Sequence, residues 1–376
     1  MRAMRLGIVA IGIGLLGLGA TSRADGLRYD WRLEDGAEFD TNPSRAEHIT
    51  GTVNAPIPPA SPLTRLVVAG NLATPVGARN TLALSAALGG KWFTVDEARA
   101  ANVLVVQASA SDTLKLRDST QASLAVSYYD VFQRRSTDLP DFRSAAPSLR
   151  LDQLFGHAVS VSAGAGYRWF AFKPDDAYSF RAPTASFALR QSLAGDVLDG
   201  GADWEWTAGG SVEARNFHGP ACSATGCGAG SGPTLHHDRF WIGHAEIVRT
   251  GGFLLGLGAA LHLNRSNSYG ESLTRGLFHT RAVVLLPWQV SLSLLGELVV
   301  THYRDPLTFL QPIVGLPSAS IEDESRSTFR VELTRLFDGR FEVGARYVYY
   351  TNAPASGPVD YRRQTFLLYL AFLDER

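Results

Sequence analysis

Charged residues recur at every second position in several stretches of this chain, and that spacing puts their chemistry on one surface. Glu213 and Arg215 are two apart, as are Arg330 and Glu332. Glu205 shares parity with the first pair and Glu342 and Arg346 with the second, while Arg275, Arg281 and Glu297 fall on one parity of their own segments. On an extended strand, side chains two apart project from the same face. These ten residues would therefore line a polar wall, with five carboxylates and five guanidinium groups. Such a wall can steer ions past fixed charges. Its balance of signs gives no preference for anion or cation.

Other reactive side chains do not gather into a catalytic pattern. His244, His262, His279 and His302 are scattered, and no G-x-S-x-G nucleophile motif accompanies them. No catalytic residue, cofactor or metal is expected, and the chain does not read as an enzyme. Gly12, Gly14 and Gly17 spell G-x-G-x-x-G, but no strand-turn-helix unit surrounds them. Cys222 and Cys227 are the only cysteines and lie in a segment rich in Gly, Pro and Ser. In an exported protein they read as a disulfide that shapes a loop. The rival is a zinc site with His236 and His237, although C-x4-C followed by H-H lacks the usual zinc spacing.

The elements that would hold such a wall begin after an export signal. Arg2 and Arg5 precede the apolar run Leu6–Ala20, and Ser22-Arg23-Ala24 supplies small residues at the cleavage positions. Residues 1–24 therefore read as a signal peptide and 25–376 as one folded domain. Beyond Ala24 no apolar run reaches the roughly 20 residues of a membrane helix. The net charge of −1 argues against a nucleic-acid partner. Arginines outnumber lysines 32 to 3, which fits genomic base bias and also phosphate or carboxylate recognition.

Sixteen strand-like segments follow, from 27–41 to 361–372. Very short connections alternate with longer ones along their length. Phe329, Val331 and Leu333 alternate with Arg330, Glu332 and Thr334. Alternation alone fits a soluble sandwich or a barrel, and aromatic placement separates them. Phe155, Trp204, Phe253, Trp288, Phe337, Phe341 and Phe372 sit at short-turn ends. Trp92, Tyr128, Trp169, Trp241, Tyr303, Tyr347 and Tyr349 sit at long-loop ends. Two aromatic bands match the girdles of a membrane barrel. The fold class is thus all-β: a transmembrane, antiparallel, up-and-down β-barrel of about 16 strands.

Face parity also constrains one turn. Arg330, Glu332, Glu342 and Arg346 must all point inward, so paired positions around Asp338-Gly339 must sum to an even number. A two-residue loop would break that rule. The expected loop is Phe337-Asp338-Gly339, with Leu336 opposite Arg340 and Gly339 left-handed. Of the long loops, 42–64 is proline-rich. Both long loops read as solvated surface loops; the sharper alternative is that one folds into the lumen, and Phe309, Leu310, Ile313, Val314 and Leu316 favour 305–326 for that.

Glu38-Phe39-Asp40-Thr41-Asn42-Pro43-Ser44-Arg45 resembles the D-[ST]-N first-strand signature of barrels linked to surface polysaccharide. The stretch Gly164–Asp175 resembles porin-like Gram-negative outer-membrane barrels, especially myxobacteria-like ones. The final strand, Tyr361 to Phe372, resembles the aromatic-ended assembly signal of such proteins, with Leu373-Asp374-Glu375-Arg376 as an extension. The resemblance implies the bacterial outer membrane, with membrane lipid and lipopolysaccharide as partners. It also implies a conduit role, including the outer-membrane pore for a secreted polysaccharide. That role would need a periplasmic export partner, since no helical-repeat domain precedes the barrel. The rival expectation is a non-conducting structural or interaction barrel in an envelope or motility complex.

Overall fold

The structure, a computed structural model, describes residues 26–43, 48–49, 60–133, 141–156, 158–193, 204–223, 234–304, 326–351 and 359–375. The expected signal peptide, Cys227 and most of the loops 42–64 and 305–326 lie outside them.

The strands are β1 (Arg28–Asp40), β2 (His48–Ile49), β3 (Ser61–Pro75), β4 (Asn80–Phe93), β5 (Val103–Arg117), β6 (Thr120–Gln133), β7 (Phe142–Phe155), β8 (Val159–Phe172) and β9 (Phe180–Leu193). Then follow β10 (Trp204–Pro220), β11 (Leu235–Arg249), β12 (Phe253–Ser266), β13 (Leu273–Leu286), β14 (Val290–Tyr303), β15 (Ser327–Phe337), β16 (Phe341–Thr351), β17 (Val359–Asp360) and β18 (Arg362–Glu375). β2 and β17 form a small ribbon, and the other sixteen close into one antiparallel barrel by pairing β1 with β18. Closure leaves no edge strand with unpaired backbone groups. The shortest barrel strands have 11 residues, enough for the roughly 9–11 that cross a bilayer.

One parity runs around the wall. Glu332 faces Arg346, Arg346 faces Leu367, Leu367 faces Glu38, and Glu38 faces Leu63. All five are buried. The intervening residues form the opposite, outward surface, where Leu368 is 68 % exposed, Leu124 62 % and Phe187 54 %. A soluble sandwich would bury these and expose the charges; this barrel does the reverse. Trp31, Phe372 and Phe341 cluster on the outward face at the short-turn end, and Tyr347 meets Phe366 towards the other.

Three local features differ from expectation. Tyr303 pairs with buried Leu273 and so lies on the inward face, not in the outer aromatic band. Asp35 lies outward, between Leu370 and Leu66. In the β15–β16 hairpin the loop has three residues and Gly339 is left-handed at φ 69°, as expected. Its frame is one residue later, however, with Phe337 opposite Phe341 and Asp338 also at positive φ. The charges explain the shift. The observed register sets Glu332 across from Arg346. The register with Leu336 opposite Arg340 would set Arg330 across from Arg346, and like charges directly opposite are destabilising.

Candidate functional site: an ion-paired barrel interior

The wall formed by β15, β16, β18, β1, β3 and β4 carries a continuous ionic network. Arg346 donates to Glu332 Oε1 through Nη2 at 2.6 Å and through Nε at 3.0 Å. Arg330 also pairs with Glu332. The Tyr369 hydroxyl donates to the same Oε1 at 2.8 Å and lies 3.0 Å from Glu342 Oε1. Arg32 bridges Glu342 at 2.8 Å and Glu34 at 3.0 Å. Arg65 lies 3.4 Å from Glu34 and 3.6 Å from Glu38, and Lys91 reaches Glu38 at 2.8 Å. Four carboxylates thus meet five cations, a surplus of one positive charge. Towards the long-loop end of this wall, Arg363 grips Asp40 bidentately, with contacts of 2.7 and 3.1 Å.

Closure produces this site. Glu34 and Glu38 on the first barrel strand come beside Arg346 and Tyr369 only because β1 pairs with β18. The sequence reading overlooked Arg32, Glu34, Glu38, Arg65 and Lys91. The even positions 32, 34, 38 and 40 on β1 carried a legible signal. On β3 and β4, Ala, Gly and Leu occur on both faces and blur the alternation.

The other expected residues lie on the inward face of β10, β13 and β14, outside this network. Glu213 bonds Arg215 at 2.6 Å and pairs with Arg168 at 3.1 Å. Arg215 also lies between the rings of Phe180 and Phe240, 5.1 and 4.4 Å from their centroids. Glu205 pairs with Arg190 near the short-turn end. Arg281 pairs with Glu246 at 3.2 Å, and Arg275 donates to Thr301 at 2.9 Å. Glu297 stands directly across from His279. The ten residues therefore share the interior but not one site: Arg330, Glu332, Glu342 and Arg346 join the network, while Glu205, Glu213, Arg215, Arg275, Arg281 and Glu297 make separate contacts.

Part of the interior is apolar. Tyr129, Phe142, Phe170, Phe180, Phe217 and His236 form a row of stacked and tilted rings, with successive centroids 3.9–5.6 Å apart. Phe142, Phe180 and Phe217 are each no more than 2 % exposed. The lumen is consequently not water-lined throughout, as a purely polar wall would be. Near the short-turn end a cavity of about 720 Å³ opens beside Arg28, Asp30, Asn71, Ser85, Ser109 and Ser111.

His236 Nε2 lies 2.7 Å from Asp238 and 3.0 Å from Ser266. A nucleophilic relay needs the acid and the hydroxyl on opposite ring nitrogens, and here both share one. His237 bonds Asn216 on the outward face. Successive strand residues point to opposite sides, so His236 and His237 cannot close on one zinc ion with the cysteines. Cys222 is disulfide-bonded. Its backbone N–H donates to Ser268 Oγ and its carbonyl accepts from Tyr269 N–H, each at 3.0 Å, which ties this segment to the β12–β13 connection.

No family model matches the sequence, and no curated protein does. Solved structures match almost end to end. Pseudomonas putida OprB, in its high-pH structure, is 11 % identical, with 92 % of this chain and 94 % of that one covered at a TM-score of 0.53. A BenF-like porin from Pseudomonas fluorescens Pf-5 is 8 % identical over 93 % and 99 %, at 0.48. A bacterial polysaccharide outer-membrane secretin is 7 % identical over 91 % and 97 %, at 0.41. What is shared is the fold. The OprB match agrees with the closed sixteen-stranded barrel; the other two scores are too low to refine it.

Proposed function

We propose that this protein is an integral barrel of the bacterial outer membrane and a porin-like channel for small charged solutes. The observation that carries this reading is the inversion of faces: an apolar outward belt around a wall of fixed charges. Only lipid makes that arrangement favourable over its reverse. The short connections would face the periplasm and the long loops the exterior, after export and cleavage behind Ala24. The fixed cations and carboxylates would filter solutes by charge at close range.

A polysaccharide pore is the less favoured form of this proposal. The paired charges and packed aromatic row offer little of the broad hydrated surface that a polymer needs, and a passive solute channel requires no periplasmic partner. The near-complete burial of Lys91, Glu38 and Phe180 favours a second reading, a barrel that does not conduct.

Purified protein reconstituted in planar bilayers separates the two. Discrete conductance steps, with heat-modifiable gel mobility confirming the barrel, are expected for the channel. A folded, inserted barrel without conductance would overturn it in favour of the structural role.

A further inference from the structure

The outward surface carries a cationic patch that the channel reading leaves unused. Arg239 on β11 is the direct cross-strand partner of Arg265 on β12. Such partners hold their Cβ atoms about 4.5–5.5 Å apart, and like charges so placed repel. Both residues are exposed, and neither makes an ion pair among the described residues. Arg181 on β9 lies outward too, opposite Asn216 on β10, and is likewise exposed and unpaired.

Their level on the barrel is informative. Trp241 and Leu263, two residues further into the strands, are also cross-strand partners on this face. The Arg265 guanidinium lies 5.8 Å from the Trp241 ring centroid. Trp169 stands opposite Arg181. The arginines therefore sit at the aromatic band, where headgroups meet the acyl region. Two outward cations on nearby strands do have an acidic partner: Arg143 and Lys173 both pair with Asp130. Repulsion across Arg239–Arg265 is relieved if an anion lies between them. Guanidinium groups match phosphate as two-donor forks.

We propose that Arg239 and Arg265, with Arg181 two strands away at the same end, bind the phosphate groups of a glycolipid in the outer leaflet. This rests on the outer-membrane reading above, which places the long-loop end outside. The site is specific to a phosphorylated lipid: Trp241 and Leu263 below it would contact acyl chains, which free phosphate lacks.

The test measures binding of bisphosphorylated lipopolysaccharide to detergent-purified full-length barrel by native mass spectrometry. Dephosphorylated lipopolysaccharide and excess inorganic phosphate serve as comparisons. R239E/R265E should weaken binding at least tenfold while heat-modifiable mobility persists, and R239Q/R265Q should weaken it in the same direction if the reversal misfolds. Dephosphorylation should weaken wild-type binding comparably, and millimolar phosphate should not displace the lipid. Equal binding by wild type and variants, or undiminished binding after dephosphorylation, would overturn the site. Displacement by phosphate would overturn its lipid specificity. Wild-type protein that inserts into vesicles yet binds no lipopolysaccharide overturns the patch alone. Failure to insert at all overturns the membrane reading and the patch with it.

Discussion

Glu332 lies directly across from Arg346 on the inner wall, and two guanidinium nitrogens converge on a single carboxylate oxygen at 2.6 and 3.0 Å. The Tyr369 hydroxyl donates to that same oxygen from the neighbouring strand. Breaking one side of a buried pair leaves the other charge uncompensated, at about 3–5 kcal/mol. Glu332→Gln should therefore lower the urea midpoint of the folded barrel substantially. Replacing both residues by Met should cost less, because neither charge is then stranded. Equal destabilisation by the single and double variants would contradict this coupling.

The same pair should govern ion selectivity if the lumen conducts. Arg346→Glu converts the local surplus of one positive charge into a deficit. Reversal potentials under a salt gradient should move towards cation preference. A conducting variant with an unchanged reversal potential would remove Arg346 from the permeation path.

Glu271, in the connection between β12 and β13, has surroundings that favour its protonated form. Burial, with the Asp238 carboxylate nearby, pushes its pKa from 4.5 up to about 7, against the opposing pull of His236 and Arg215. The folded state then binds a proton more tightly than the unfolded chain. Its stabilising contribution is complete below pH 4.5 and is lost as pH rises towards 7. Glu271→Gln should flatten this segment of the stability-versus-pH curve. A variant curve that tracks the wild type between pH 4.5 and 7 would assign the dependence to other groups.

Asp35 faces outward between Leu370 and Leu66, in the middle of the apolar belt. A carboxylate in lipid costs less than the roughly 2–4 kcal/mol of a mid-membrane Arg or Lys, so relief of about 1–2 kcal/mol is reasonable. Asp35→Leu should raise the unfolding midpoint in lipid vesicles. A lowered midpoint would mean that this surface has a polar partner in the membrane.

Cys222 belongs to a disulfide whose expected partner is Cys227. Thiol labelling under denaturing, non-reducing conditions should modify neither residue. Closure of so short a loop contributes at most about 2 kcal/mol of chain entropy. Cys222→Ser should accordingly leave the barrel folded and its gel mobility heat-modifiable. Labelling of both thiols in exported protein would refute the bond.

The sequence alone determined the strands and their faces, because both follow from local chemistry. Alternation of period two marks a surface that is apolar on one side and charged on the other, and short turns set its rhythm. The first strand, expected over 27–41, is observed over Arg28–Asp40. β18 continues past Phe372 because Leu373, Asp374 and Glu375 still find partners on β1. Pairing between distant residues was decided only by the tertiary structure. Alternation fixes a residue's face but not its neighbour across the strand. Sliding a hairpin by one frame preserves every face, yet exchanges the Glu332–Arg346 contact for a clash between arginines. Closure is still less local: Glu34, directly across from Ala371, comes within 3.9 Å of Arg346 only through the stagger accumulated over all sixteen strands. That global register placed the charges of β1 within the ionic network, while the local β11–β12 register left Arg239 and Arg265 side by side on the outward face.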